Sequence, residues 1–181
     1  MSDSAELSVE LLDWARRAGY TLTAADREGV LTLWSDPGGE VRYYLRRRED
    51  GWYLLTRSSR DSDEQFVLAA VSREILERFL YGVFGTVIRD DHKLPFLQKP
   101  WNPADVASGY SLSEMSEGGY RTLSRMDSGP VAVAREKTIS LMNLVPLSHF
   151  LKLSISELEA SYLSDSGGPL LSGRSYTSRN S

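Results

Sequence analysis

The region from Val30 to Thr56 constrains the fold most, because apolar, strand-like runs alternate there with residues that favour tight turns. Val30-Leu-Thr-Leu-Trp34 has the composition of a strand, and Ser35-Asp-Pro-Gly-Gly39 follows it with turn-forming residues. Glu40 to Arg47 returns as a second strand. Glu49-Asp50-Gly51 then supplies the positive φ values that two-residue hairpins demand, and Trp52-Tyr-Leu-Leu-Thr56 resumes the β pattern. Connections this short join antiparallel neighbours, so the spacing predicts a three-strand meander. Phe66-Val-Leu-Ala69 fits either a fourth strand or the lead-in to the next element.

Helical periods flank this region. Leu7, Leu11, Trp14 and Ala18 fall on one face of a helix from about Glu6 to Arg17, with Gly19 as its stop. Ser72 reads as the N-cap of a segment to Phe84, in which Ile75, Leu76, Phe79, Leu80, Val83 and Phe84 form an apolar stripe and Gly85 ends the helix. Between Arg89 and Gly109, Pro95, Pro100 and Pro103 forbid long regular structure, leaving an ordered excursion or a mobile loop, and Phe96 and Trp101 argue for order. Tyr110 to Met115 and Tyr120 to Ala134 form a further antiparallel group, as a second small sheet or an extension of the first. Thr138 to Leu151 and Ser156 to Leu163 are helical, with Pro146 marking a kink or boundary. Gly167 and Gly168 close the folded part, and Ser172 to Ser181 is polar enough to be expected as a disordered tail. The expected architecture is a single α+β domain over residues 1–171, an antiparallel meander packed against helices, followed by the tail of residues 172–181.

Composition narrows the function. The absence of cysteine excludes disulfides, thiolate nucleophiles and thiolate metal sites, and fits a reducing compartment. Met1 to Glu10 lacks the basic flank and apolar run of a secretory signal, and the apolar stretches at Phe79–Phe84 and Leu141–Leu151 fall short of the roughly 20 residues that cross a bilayer. A soluble, cytoplasmic protein without membrane association is expected. The formal net charge of −4 argues against nucleic acid as the main ligand and is easier to reconcile with a basic or neutral protein partner.

Catalytic patterns are sparse. His149, in the apolar run Leu147-Ser-His-Phe-Leu151, reads as a hydrogen-bonded packing residue. Asp90, Asp91 and His92 are adjacent in sequence, and adjacent residues rarely converge on one ion without further ligands, so they read as a solvated loop or helix end. Gly38-Gly39 and Gly118-Gly119 match no phosphate-binding fingerprint, and Ser166-Gly-Gly168 lacks the setting of a nucleophile elbow. No catalysis, metal or cofactor is expected.

The most unusual patch is Arg42-Tyr-Tyr-Leu-Arg-Arg-Arg48, followed after the turn by Trp52, Tyr53 and Arg57. Strand alternation puts Arg42, Tyr44 and Arg46 on one face, and Val41, Tyr43, Leu45 and Arg47 on the other. Such a face can be a plain exposed sheet surface, a protein interface or a platform for single-stranded bases; the overall acidity ranks the protein interface above the nucleic acid. Arg42, Tyr44, Arg46 and Trp52 of this hairpin, with Asp90, Asp91 and Trp101 of the proline-rich excursion, are the candidate partner-binding residues.

Several strings carry a resemblance: Trp14-Ala-Arg-Arg-Ala-Gly-Tyr20, Gly39-Glu-Val-Arg-Tyr-Tyr-Leu45, Asp50-Gly-Trp-Tyr-Leu-Leu-Thr56 and Leu76-Glu-Arg-Phe-Leu-Tyr-Gly-Val-Phe-Gly85. Pro100-Trp101, Gly109-Tyr110 and Leu147-Ser-His-Phe-Leu151 extend it into the second half. Together they resemble the actinobacterial immunity protein 61 family, related to antitoxins of the tuberculosis necrotizing toxin. The resemblance implies an inhibitor that binds a secreted toxin, encoded by a neighbouring gene, and blocks its active site; in the best-known case that toxin is an NAD-degrading glycohydrolase. None of the shared strings is a catalytic signature, so no contact residue is carried over.

Overall fold

The computed structural model describes residues 6–35, 38–60 and 62–177. The first helix, α1 (Val9–Arg17), is capped by Ser8, whose Oγ accepts from the Leu11 N–H. The Glu77 carboxylate in turn accepts from the Ser8 N–H at 2.8 Å and the Ser8 hydroxyl at 2.7 Å, fixing the helix start to a distant segment. Gly19, at φ 74°, lets the chain turn out of α1, a conformation that costs a residue with a Cβ.

Beyond it runs a short edge strand, β1 (Tyr20–Thr23), that periodicity does not distinguish from the connection around it. β2 (Leu31–Ser35), β3 (Val41–Arg47) and β4 (Tyr53–Ser59) form the expected meander, and the Phe66 segment is a true strand, β5 (Gln65–Ala70). The β3–β4 hairpin differs from the two-residue form. The Arg48 N–H donates to the Trp52 carbonyl at 2.7 Å, so Glu49, Asp50 and Gly51 all lie in the loop, with Gly51 taking the positive φ of 86°.

α2 (Arg73–Asp91) starts at Ser72 as expected but runs through Gly85. Glycine is not a stop here, because its missing Cβ makes room for a neighbour: a Cβ at Gly85 would lie 2.4 Å from Cγ of Tyr162. After α2 the chain forms a 3₁₀ turn (Pro103–Asp105), then β6 (Tyr110–Leu112), β7 (Tyr120–Arg125) and β8 (Gly129–Arg135). β8 pairs with β5 through Ala69 with Val133 and Ala70 with Ala132, so the second antiparallel group extends the first. One eight-stranded sheet results, in the order β1-β2-β3-β4-β5-β8-β7-β6.

α3 (Lys137–Phe150) contains Pro146 in its interior, so the proline marks no boundary. α4 (Ile155–Leu163) follows, opened by a capping box between Ser154 and Glu157. The folded part does not end at Gly168. β9 (Leu171–Ser172) pairs with β10 (Ser175–Tyr176), and the Tyr176 ring stacks on His149 with centroids 3.8 Å apart. The Tyr176 hydroxyl donates to the Pro100 carbonyl at 3.1 Å. An unstructured tail from residue 172 is therefore corrected for residues 172–177: one aromatic with a stacking partner anchors an otherwise polar segment. Residues 178–181 of the expected tail lie outside the described residues.

The helices cover one face of the sheet. Leu45, Leu55, Leu68, Leu123 and Ala132 point into a single core with Leu76, Leu80, Phe84 and Ile88 of α2, and each fully buried Leu, Ile or Phe among them contributes about 1.5–3 kcal/mol. Phe84 contacts the rings of Tyr20 (centroids 4.9 Å) and Tyr43 (6.3 Å, edge-on), which ties α2 to the edge of the meander. At the far end of α2, Arg89 is 2% exposed and makes no ion pair within salt-bridge distance among the described residues, although the Asp165 and Asp90 charges act on it. Its guanidinium donates to the carbonyls of Pro95 (3.0 Å from Nε) and Tyr162 (2.9 Å), and to those of Ser161, Ser164 and Asp165. The last four lie at and just beyond the C-terminus of α4, where free carbonyls and the helix dipole favour a cation.

Three outcomes follow from this packing. Gly85→Ala gains about 1 kcal/mol of helix propensity but must displace the Tyr162 ring, an overpacking cost of about 1–3 kcal/mol, so urea unfolding should show a net loss of stability. Arg89→Lys keeps the charge and loses the fork that reaches several carbonyls at once, and should lower stability by about 3 kcal/mol in the same assay. Ending the chain after Gly173 removes Tyr176 and its stack, and should lower stability by about 2 kcal/mol, read as a fall in Tm.

Candidate functional site

The residues expected to bind a partner fall on two surfaces on opposite sides of the sheet. On the face without helices, β3 presents Arg42, Tyr44 and Arg46, as alternation requires, while Tyr43 and Leu45 point into the core. This face is largely satisfied within the chain. Arg46 makes a two-pronged pair with Glu64 at 2.7 and 3.1 Å, and its guanidinium lies 6.0 Å from the Tyr44 ring. That bond holds the Glu64 carboxyl below the usual carboxylate range. The Tyr44 hydroxyl shares a hydrogen bond with Ser58 at 3.2 Å, Arg48 pairs with Asp50 at 2.8 Å, and Arg135 lies over Tyr120, whose ring meets Phe66 edge-on. Trp52 is half-buried where the chain re-enters the sheet. Arg57 leaves this face altogether: it stands opposite Tyr43 in register and hydrogen-bonds to it on the helix side. Two of the arginines that would track phosphates are thus engaged by carboxylates, and a third faces the other way.

Asp90 and Asp91 are exposed at the last turn of α2, with His92 as its C-cap. Successive residues of a helix project about 100° apart, so these side chains do not converge. Among the described residues, no group of three or more acidic or histidine side chains could hold a metal ion.

The proline-rich excursion is an ordered strap across the helices. Its backbone is tied at Pro95 by Arg89, at Pro100 by Tyr176, at Asp105 by His149 (Nε2 to carbonyl, 2.7 Å) and at Ala107 by the Ser148 hydroxyl at 3.0 Å. Burial holds the His149 imidazole below its ordinary pKa; as expected from sequence, it is a hydrogen-bonded packing residue. Leu97 and Ala107 are buried, yet Phe96 is 74% and Trp101 53% exposed. The two aromatics that argued for order contribute little to it; hydrogen bonds and small apolar groups hold the strap.

Beside the strap, a groove of roughly 940 Å³ is lined by Phe96, Lys99, Trp101, Met142, Pro146 and Arg174, among others. Trp101 is the predicted residue that faces it. Met142, 56% exposed, and Ile139, 48% exposed, come from α3 and were not singled out from sequence, although a signal existed. A helix apolar on every face buries only the part that meets the core.

The sequence matches the family described as Immunity protein 61 over residues 14–170. A Mycobacterium tuberculosis protein called "Immunity factor for TNT" and its Mycobacterium bovis BCG homolog are each 35% identical over 172 residues, spanning 94% of this chain and 95% of theirs. The solved structure of Rv3902c from M. tuberculosis superposes with a TM-score of 0.81 at 33% identity, covering 94% of this chain and 96% of that one. The eight-stranded antiparallel sheet, the helices on one side of it and the family match along most of its length agree: the chain belongs to the immunity protein 61 family.

Proposed function

We propose that this chain is an immunity protein that binds a cognate secreted toxin in the cytoplasm of the producing cell and occludes the toxin's active site without catalysing a reaction. The observation that carries this reading is the similarity, over 94% of the chain, to a protein called an immunity factor for TNT and to its homolog. The toxin is proposed to be an NAD-degrading glycohydrolase, encoded by the neighbouring gene, in line with the sequence resemblance. Occlusion needs a surface whose shape exists before contact, since each loop or side chain ordered on binding weakens the complex. The strap meets that need: its backbone is bonded at several points while Phe96 and Trp101 remain exposed.

Titrating the purified chain into the toxin domain encoded by the adjacent gene should give a one-to-one complex by calorimetry. NAD consumption by that domain should cease once the chain is stoichiometric. Absence of binding would remove the immunity reading, and binding with undiminished NAD consumption would remove the occlusion.

A further inference from the structure

We infer that the groove between the strap and α3 is where the toxin docks, and that it receives an apolar projection of the toxin bordered by carboxylates; this rests on the immunity reading above. The apolar part follows from the exposed side chains. Phe96 and Trp101 from the strap meet Met142 of α3, and Ile139 extends the same helix face by one turn. Other exposed large side chains, such as Val9, Met126 and Leu163, are scattered over separate elements. Aromatic and methionine side chains at a concave surface are what the cores of protein interfaces use.

Charge specifies the partner. The chain has a net charge of −4, yet among the described residues this concavity and the one continuous with it along α2 are lined by Arg57, Lys99 and Arg174 against one carboxylate, Asp105, with Asp90 in the small pocket beside Phe96 and Lys99. Lys99 is half-buried, and among the described residues its ammonium reaches only hydroxyls, of Tyr162 at 3.3 Å and Thr86 at 3.5 Å, with the Tyr162 ring 5.6 Å away. A half-buried cation with no ion pair among the described residues is stabilised by an anion arriving from outside. The same charges argue against a second copy of this chain as the occupant. A two-fold contact places identical patches together, and would bring Lys99 and Arg174 against their own counterparts.

The test uses the full chain and the toxin domain encoded by the adjacent gene. Trp101→Ala and Met142→Ser should each weaken binding at least tenfold, with Phe96→Ala as a further probe of the same wall, and all should melt near the wild type because these side chains are exposed. Lys99→Gln should flatten the fall of the association rate with added salt, the signature of a lost charge facing an acidic partner. Wild-type binding that survives the Trp101, Met142 and Phe96 changes but is lost in Arg42→Ala or Tyr44→Ala would move the interface to the open sheet face and overturn the inference, leaving the immunity reading in place. A toxin-free dimer that Trp101→Ala dissolves would overturn it in favour of self-association. No binding by the wild type would remove both.

Discussion

The guanidinium of Arg89 joins more of this structure than any core contact does. It sits at the C-terminal end of α2, where its chain is held by the helix that carries the core, and spends its donors on backbone carbonyls from two other segments. Burial lowers its pKa, which is what removal of a cation from water must do, the charges of Asp165 and Asp90 oppose that shift, and the carbonyls take up its donors. Without this cation, the buried carbonyls of Ser161 and Tyr162 at the end of α4 would each lose a donor. One side chain therefore caps a helix, closes the turn after it and starts the strap in its direction of travel. The strap's exposed aromatics depend on that start, since Phe96 directly follows the residue that Arg89 holds.

Placing every helix on one side of the sheet has a consequence for the other side. An uncovered sheet must settle its polar groups among themselves or with solvent, and here it does the former. Thr56 and Ser58 belong by register to the open face yet are only 7% and 5% exposed, shielded where the Arg46–Glu64 pair and Tyr44 hydrogen-bond to them. The basic and aromatic composition that marks this face in the sequence is largely spent on covering it. The same composition on an unpaired face would be a binding platform, and composition alone does not separate the two.

What could be read from the sequence was what local chemistry decides. The meander is visible because turn residues and strand composition recur within a few positions, and Ser72 is a legible cap because the hydroxyl and the apolar stripe lie in one segment. Gly85 and the polar run that holds Tyr176 are not legible locally, because their meaning is tertiary. A glycine that ends a helix and one that admits a ring from α4 look alike until Tyr162 is placed, and an isolated tyrosine in a polar run looks unanchored until His149 is placed beneath it. The candidate site divides in the same way. Trp101 stood out by residue type, whereas Lys99 and Met142 gain significance only from what the fold sets beside them.

The strap also illustrates how a stretch of irregular backbone can hold a surface in a fixed shape. Proline removes backbone donors and restricts φ, so Pro95, Pro100 and Pro103 leave carbonyls that other elements can hold, and Arg89 and Tyr176 hold two of them. The backbone is thereby fixed before any partner arrives, and the exposed Phe96 and Trp101 each have only two rotatable side-chain bonds left to order. Immobilising a rotamer-rich side chain on binding costs about 0.5–1.5 kcal/mol, and an aromatic on a fixed backbone sits at the low end of that range while offering a large contact area. The groove wall opposite is a helix, equally fixed. A surface of this kind avoids the ordering cost that a loose loop of the same composition would incur, which places the demand for rigidity on the hydrogen bonds beneath the strap.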